Sequence, residues 1–327
     1  MKNIAIIGSG SWGVALGIHM AKLGHNIKIW SFLKEEADLI NNERKCKFLP
    51  EIELPNNIVA TQSFEECICS SDYIFHVTPS QVVRNTVKQY KEYVDEQPII
   101  ICSKGFEKDT LYTLNEIIEE ELPNNKVAVF SGPSHAEEVS REVPTAMVLA
   151  SKDEQLLENL HSMLKTEYMR IYLSTDIKGV ELGGSLKNII AFCAGILVAL
   201  ELGDNSFAAL VTRGLTEISR LGEVLGGNHE TFYGLSGLGD LIVTCSSKFS
   251  RNRKAGMLIG LGKSLDVTIK EVGLRIDSIV NIDVAYKLGK IHNIDMPIVN
   301  ATYDILYNGL DINEALKQLM TRDKKFE

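Results

Sequence analysis

The sequence predicts a doubly wound, mostly parallel α/β sheet domain followed by an all-α domain. Three observations carry this. A nearly continuous apolar run, Ile4–Ile7, enters a glycine-rich loop, as a strand buried on both faces would. Strand and helix signals then alternate as far as Leu173. From Gly179 onward the strand signal disappears and long helical patterns remain. The expected division is residues 1–178 and residues 179–327.

The first strand runs into Gly8-Ser9-Gly10-Ser11-Trp12-Gly13, and a helical pattern follows through Leu23 to Gly24. Strand, G-x-G-x-x-G and helix stand in the order of the dinucleotide fingerprint, so the N-terminal part reads as a Rossmann-like, dinucleotide-binding domain. Gly8 permits the tight turn, Gly10 lets a pyrophosphate approach the helix N-terminus, and Gly13 lets helix and strand pack closely. The second strand, Asn26–Trp30, ends in Ser31-Phe32 with Lys34 nearby, where NAD sites usually carry an acid. A hydroxyl and a cation would not repel a 2′-phosphate. The pattern admits NADP or NAD, with NADPH slightly favoured. Phe32 is either an adenine-packing side chain or an ordinary surface aromatic.

Further strands are expected at Ile58–Ala60, Asp72–Val77, Pro98–Cys102, Val127–Phe130, Ala146–Ala150 and Met169–Leu173. The intervening helices are expected at Phe64–Cys69, Gln81–Val94 with Ser80 as N-cap, Thr110–Glu121 and Asp153–Lys165. Ligands of such sheets bind at the C-terminal strand ends. Lys104 and the loop Ser131–Ala136 lie at such ends, as do His76 and His135, which read as structural hydrogen-bonders.

In the second half, helices are expected at Gly179–Leu202, Ser206–Leu225, Ile269–Leu288, Met296–Asn308 and Asn313–Met320. Lys187 is the one lysine in the apolar stretch Gly179–Gly195, with Gly183 and Gly184 at i−4 and i−3 on its face. It either snorkels from a core helix or is a buried functional lysine with a partner. The glycines would leave room for a ligand, and the change from α/β to all-α makes this helix a candidate wall of an interdomain cleft. Gly234–Leu241 places three glycines before Asp240, and Ser246–Lys254 concentrates four cations with hydroxyls and an amide. That run is either solvated surface or a phosphate pocket. Nicotinamide site, lysine, aspartate and phosphate-type cluster together suggest hydride transfer to a small phosphorylated carbonyl compound.

Composition excludes other classes. The 327 residues are 45% hydrophobic and 24% charged, ordinary for a globular protein of two domains. A net charge of −9 argues against nucleic-acid binding and requires a local basic pocket for an anionic ligand. No uninterrupted apolar run of about 18 residues indicates membrane insertion. The apolar run after Met1-Lys2-Asn3 is too short for a signal-peptide core, so a cytoplasmic location is expected. Cys46, Cys67, Cys69, Cys102, Cys193 and Cys245 lack paired zinc spacing and read as free thiols, and no metal site is expected.

These motifs together resemble the bacterial-type NAD(P)-dependent glycerol-3-phosphate dehydrogenases across essentially the whole chain. The resemblance rests on Gly8–Gly13, Ser103-Lys104-Gly105, Ser131–Ala136, Gly184–Asn188, Gly237–Leu241 and Ser250–Arg253. It implies interconversion of sn-glycerol 3-phosphate and dihydroxyacetone phosphate, mainly toward the former for phospholipid synthesis, by a homodimer. It implies Lys187 as general acid/base and Lys104, Gly132, Ser134, Asp240, Ser250, Arg251 and Asn252 around the substrate. Around the cofactor it implies Ser11, Trp12, Phe32, Lys104, Ala136 and Arg251, besides the loop glycines. Arg275 and Asp277 occupy the positions where relatives often carry an apolar residue and a glutamate beside the cofactor. Two alternatives stay open: a related 3-hydroxyacid or 6-phosphogluconate-type dehydrogenase, and a non-catalytic dinucleotide-binding sensor.

Overall fold

The structure, a computed structural model, describes residues 1–273 and 276–323. Eight strands form one sheet: β1 (Asn3–Ile7), β2 (Asn26–Trp30), β3 (Ile58–Thr61), β4 (Tyr73–His76), β5 (Ile99–Ile101), β6 (Val127–Ser131), β7 (Thr145–Ala150) and β8 (Met169–Ser174). Their order is β3-β2-β1-β4-β5-β6-β7-β8. All neighbouring pairs are parallel except β6 with β7. The first six strands follow the dinucleotide-fold order, with the topological switch between β1 and β4. Helices α1 (Ser11–Lys22), α2 (Lys34–Glu43), α3 (Phe64–Ile68), α4 (Val83–Tyr90), α5 (Leu114–Glu121), α6 (Ala136–Val139) and α7 (Glu154–Leu164) accompany the sheet.

The remaining helices are α8 (Ile177–Ala199), α9 (Asp204–Val224), α10 (His229–Phe232), α11 (Asp240–Ser246), α12 (Arg251–Gly260), α13 (Leu265–Val272), α14 (Asp277–Ile291), α15 (Pro297–Tyr307) and α16 (Ile312–Met320). The chain forms two compact units, Met1–Glu107 with Tyr112–Glu181, and Lys108–Leu111 with Leu182–Glu327. Among the described residues, α8 alone is long and apolar enough to cross a membrane, and 83% of its apolar window is buried inside the protein.

Local chemistry sets where these elements begin and end, and it corrects several expected boundaries. Thr113 caps α5 reciprocally with Glu116, so the helix starts at Leu114, well after Thr110. Leu111 holds φ at +63°, which no α-helix accommodates. Ser80 does not cap a helix: Ser80–Val82 forms a 3₁₀ turn, and α4 begins only at Val83. Gly273 ends α13 in the left-handed conformation, so the expected helix Ile269–Leu288 is two helices. Helices α10, α11 and α12 were not expected, because glycines and charges obscure their periodicity.

Two close approaches explain glycines that the pattern alone leaves open. A Cβ on Gly13 would lie 2.1 Å from the Gly8 carbonyl oxygen, so α1 can start against β1 only with glycine there. In the second unit, α8 and α12 cross almost backbone to backbone. A Cβ on Gly256 would lie 1.8 Å from the Phe192 carbonyl oxygen, and one on Gly195 1.9 Å from that of Arg253. We expect Gly256→Ala to force the two helices apart and cost about 3 kcal/mol in urea unfolding. Gly203→Ala, with nothing within 4 Å of the added carbon, should cost less than about 1 kcal/mol.

Two buried glutamates satisfy helix N-termini. Glu217 accepts from the amides of Ile298 (2.8 Å) and Val299 (3.1 Å) at the start of α15. Glu181 accepts from the Asn115 amide at the start of α5. Burial pushes both carboxyls up to about 7, against the hydrogen bonds that favour the charged form. Between the ordinary 4.5 and about 7, the folded chain therefore holds a proton on Glu217 that the unfolded chain has released. Stability carried by this group falls as pH rises through that window. The fall in Tm between pH 5 and pH 7 should be shallower in Glu217→Gln than in the native protein.

Candidate functional site

In the first unit the candidate residues gather on loops that follow strands. After β1, Gly10 precedes the first turn of α1, whose leading amides have no partner within the helix. Nothing lies within 4 Å of a Cβ built on Gly10, and no side chain caps the helix. An uncapped N-terminus with an open glycine fits a pyrophosphate. Ser11 and Trp12, both half-buried, open α1 beside it. Phe32 is 77% exposed and follows β2, near Trp30 at 6.4 Å between ring centres.

Two features that admitted a 2′-phosphate are engaged within the protein. Ser31 is fully buried, and its hydroxyl lies 2.8 Å from Ser9 Oγ and 2.9 Å from the Leu33 carbonyl oxygen. Lys34 pairs with Asp38 at 2.8 Å on the exposed side of α2. Glu36, which the sequence reading passed over, accepts a hydrogen bond from Ser9 Oγ. Dinucleotide folds usually carry their acid at the end of β2, and this one comes from the first turn of the next helix.

After β5, the Lys104 ammonium donates to the Gly132 carbonyl oxygen at 3.1 Å. Ser134 Oγ donates to the same oxygen at 3.0 Å. Lys104, Gly132 and Ser134 are therefore one cluster, made by the parallel pairing of β5 with β6. Ala136 follows, buried at the start of α6. His76 is fully buried between Tyr90 and Thr78, and burial depresses it to about 3, so it stays neutral and structural.

The second unit buries the lysine. Lys187 and Asp240 are only 5% and 2% exposed, and the ammonium donates to Asp240 Oδ1. It also donates to Thr244 Oγ1 at 2.6 Å, and that hydroxyl donates to the Asp240 carbonyl oxygen at 2.6 Å. Thr244 was missed by sequence reasoning. Its signal was the i+4 spacing from Asp240, which puts both on one face of α11.

The glycine run before Asp240 has a specific shape. Leu235–Gly239 forms a π-helical turn that leads directly into α11. A Cβ on Gly237 would lie 2.0 Å from the Phe232 carbonyl oxygen. Gly183 on α8 packs against this turn: its Cβ would meet Ser236 O at 3.0 Å. The space beside Gly183, expected for a ligand, is thus taken by the turn that delivers Asp240.

The basic cluster divides into roles. Ser250 caps α12 by accepting from the Arg253 amide at 3.2 Å, and Arg251 is exposed at the first position of the helix. Asn252 is buried, and its amide donates to Asn188 Oδ1 at 2.9 Å and accepts from the Ser278 amide at 3.0 Å. Its side chain is a strut between α8, α12 and α14 that leaves one N–H of the carboxamide for a further acceptor. Asn281 adds a second strut, donating to the Ser185 carbonyl oxygen at 2.7 Å. Asp277 is half-buried at the start of α14, and Arg275 lies outside the described residues.

Neighbouring thiols offer no nucleophile. Burial pushes Cys193 and Cys245 up to about 12, which keeps both protonated. An ammonium fixed by a carboxylate and a hydroxyl is a group able to transfer a proton. Because both charges are buried, Asp240→Ala should cost about 3–5 kcal/mol in urea unfolding, by stranding the ammonium. Lys187→Met/Asp240→Leu, which removes both charges, should return to within about 1 kcal/mol of the native stability.

Comparison with known proteins gives a consistent result. Residues 3–157 match the family described as NAD-dependent glycerol-3-phosphate dehydrogenase N-terminus, and residues 176–317 match its C-terminus counterpart. The glycerol-3-phosphate dehydrogenase [NAD(P)+] of Fusobacterium nucleatum is 47% identical over 332 residues, covering 100% of this chain and 99% of that protein. The protein of the same name from a Thermoanaerobacter species is 46% identical, covering 99% and 98%. The crystal structure of glycerol-3-phosphate dehydrogenase from Coxiella burnetii superposes with a TM-score of 0.94 at 36% identity, covering 98% and 99%.

Proposed function

The chain belongs to the NAD-dependent glycerol-3-phosphate dehydrogenase family, and from that premise we propose that it interconverts sn-glycerol 3-phosphate and dihydroxyacetone phosphate with Lys187 as general acid/base. The observation that carries the role of Lys187 is its burial with Asp240 and Thr244 as partners. In this reading residues 1–178 bind the dinucleotide, and residues 179–327 bind the substrate and supply the proton.

The dinucleotide is held by Gly8, Gly10, Ser11, Trp12 and Gly13, with Phe32, Lys104, Ala136, Arg251 and Asp277 completing its surroundings. When bound, the nicotinamide supplies or accepts the hydride at C2 of the substrate. Lys187 donates a proton to the oxygen developing at C2 and takes it back in the reverse direction. Asp240 and Thr244 fix the direction of the ammonium, so the donor needs no search at the moment of transfer.

The phosphate is met at the N-terminus of α12. The Arg251 guanidinium and the amides of Arg251 and Asn252 lead that helix, and Ser250 shapes its first turn. The same reading assigns Lys104, Gly132 and Ser134 to the substrate as well. Binding energy spent on the phosphate orients C2 without touching it. The same reading has a homodimer in the cytoplasm that supplies glycerol 3-phosphate for phospholipid synthesis.

A steady-state assay with dihydroxyacetone phosphate and each reduced cofactor tests the activity. Turnover of this substrate separates the reading from a 3-hydroxyacid or 6-phosphogluconate-type enzyme and from a non-catalytic sensor. Lys187→Ala should lower kcat by at least about 10²-fold while leaving NADH binding nearly intact. Native-like turnover in that variant would remove Lys187 from the mechanism.

A further inference from the structure

In dinucleotide folds an acidic side chain about 20 residues beyond the glycine loop, at the end of the second strand, receives the adenosine ribose hydroxyls. Here that place is held by Ser31, and the hydroxyl of Ser31 is buried against Ser9 Oγ at 2.8 Å. Ser9 stands between Gly8 and Gly10 of the loop itself, and its own hydroxyl donates to Glu36 Oε2 at 2.5 Å. Glu36 is half-buried in the first turn of α2. A carboxylate is therefore tied to the glycine loop through Ser9, whose hydroxyl also lies against Ser31 at the end of β2, although neither segment contains an acid.

The local charge has no offset from Lys34, whose ammonium is bonded to Asp38 at 2.8 Å. Nor does Ser31 offer a hydroxyl outward, since it is fully buried. The geometry points to Glu36 as the residue that selects the dinucleotide: its carboxylate accepts the hydrogen bond of a ribose 2′-hydroxyl and repels a 2′-phosphate. The chain then prefers NADH to NADPH. The inference rests on the reading of Gly8–Gly13 as a dinucleotide site and adds to it the choice between the two forms.

A purely structural tether would act differently. Loosening Ser9 from α2 would disturb the loop and weaken both cofactors together. Selection by charge instead moves their ratio, and a carboxamide that keeps the shape of Glu36 should be enough to move it.

Calorimetric titration of the full chain with NADH and with NADPH, without substrate, tests this by binding alone. The native protein should bind NADH at least tenfold more tightly than NADPH, and Glu36→Gln should bring the two within about threefold. Glu35→Gln, at the exposed neighbouring acid, should leave the ratio unchanged. Native affinities within threefold of each other, or an unchanged ratio in Glu36→Gln, would overturn the inference while leaving the dinucleotide site standing. An equal shift in Glu35→Gln would overturn it in favour of a general field. Binding of neither cofactor would overturn the dinucleotide reading and this inference with it.

Discussion

The constraint on which the second unit depends is the burial of one positive and one negative charge. Lys187 and Asp240 are both almost wholly removed from water, and each offsets part of the cost of burying the other. Such a pair adds little net stability compared with apolar residues of the same shape. Its presence in a core is therefore better explained by chemistry than by folding. Thr244 supports this, because its hydroxyl accepts from the ammonium and donates to the backbone of Asp240. The result is an ammonium whose direction is set by packing.

Backbone contacts of unusual closeness hold the pair in register. Gly195 and Gly256 let α8 and α12 meet without side chains between them, and Gly183 seats the π-helical turn that ends at Asp240. Asn252 and Asn281 then join α12 and α14 to α8 through amide hydrogen bonds. The same arrangement that places the lysine also places the N-terminus of α12, where Ser250 and Arg251 stand. A substitution at one of these glycines would thus disturb the Lys187–Asp240 pair and the start of α12 together.

Much of this is legible in the sequence, for reasons that differ by residue. The mostly parallel α/β sheet follows from the alternation of apolar runs with helical patterns, and the dinucleotide loop from three glycines in a fixed context. Lys187 stood out because a lone lysine in an apolar helix needs a partner, and Asp240 is that partner. Thr244 did not stand out, since a threonine one turn from an aspartate is common on helices. Asn252 reads as a ligand donor because its neighbours are cationic, and the bonds of its side chain to Asn188 and Ser278, which join three helices, are not visible in the sequence. Glu36 was hidden because tertiary hydrogen bonding, not strand position, brings its carboxylate to Ser9. Helix breaks at Leu111 and Gly273 depend on single backbone angles that periodicity does not register.

The central claim is that Lys187 is the proton donor and acceptor, held by Asp240 and Thr244. Chemical rescue measures it most directly. In Lys187→Ala, added primary amines of differing basicity would enter the site in place of the lost side chain. The account predicts that they restore turnover of dihydroxyacetone phosphate, with a rate that follows the acid strength of the amine. A folded variant that still binds cofactor and substrate, yet turns over at the native rate without amine, would contradict it. So would restored rates that do not depend on which amine is supplied.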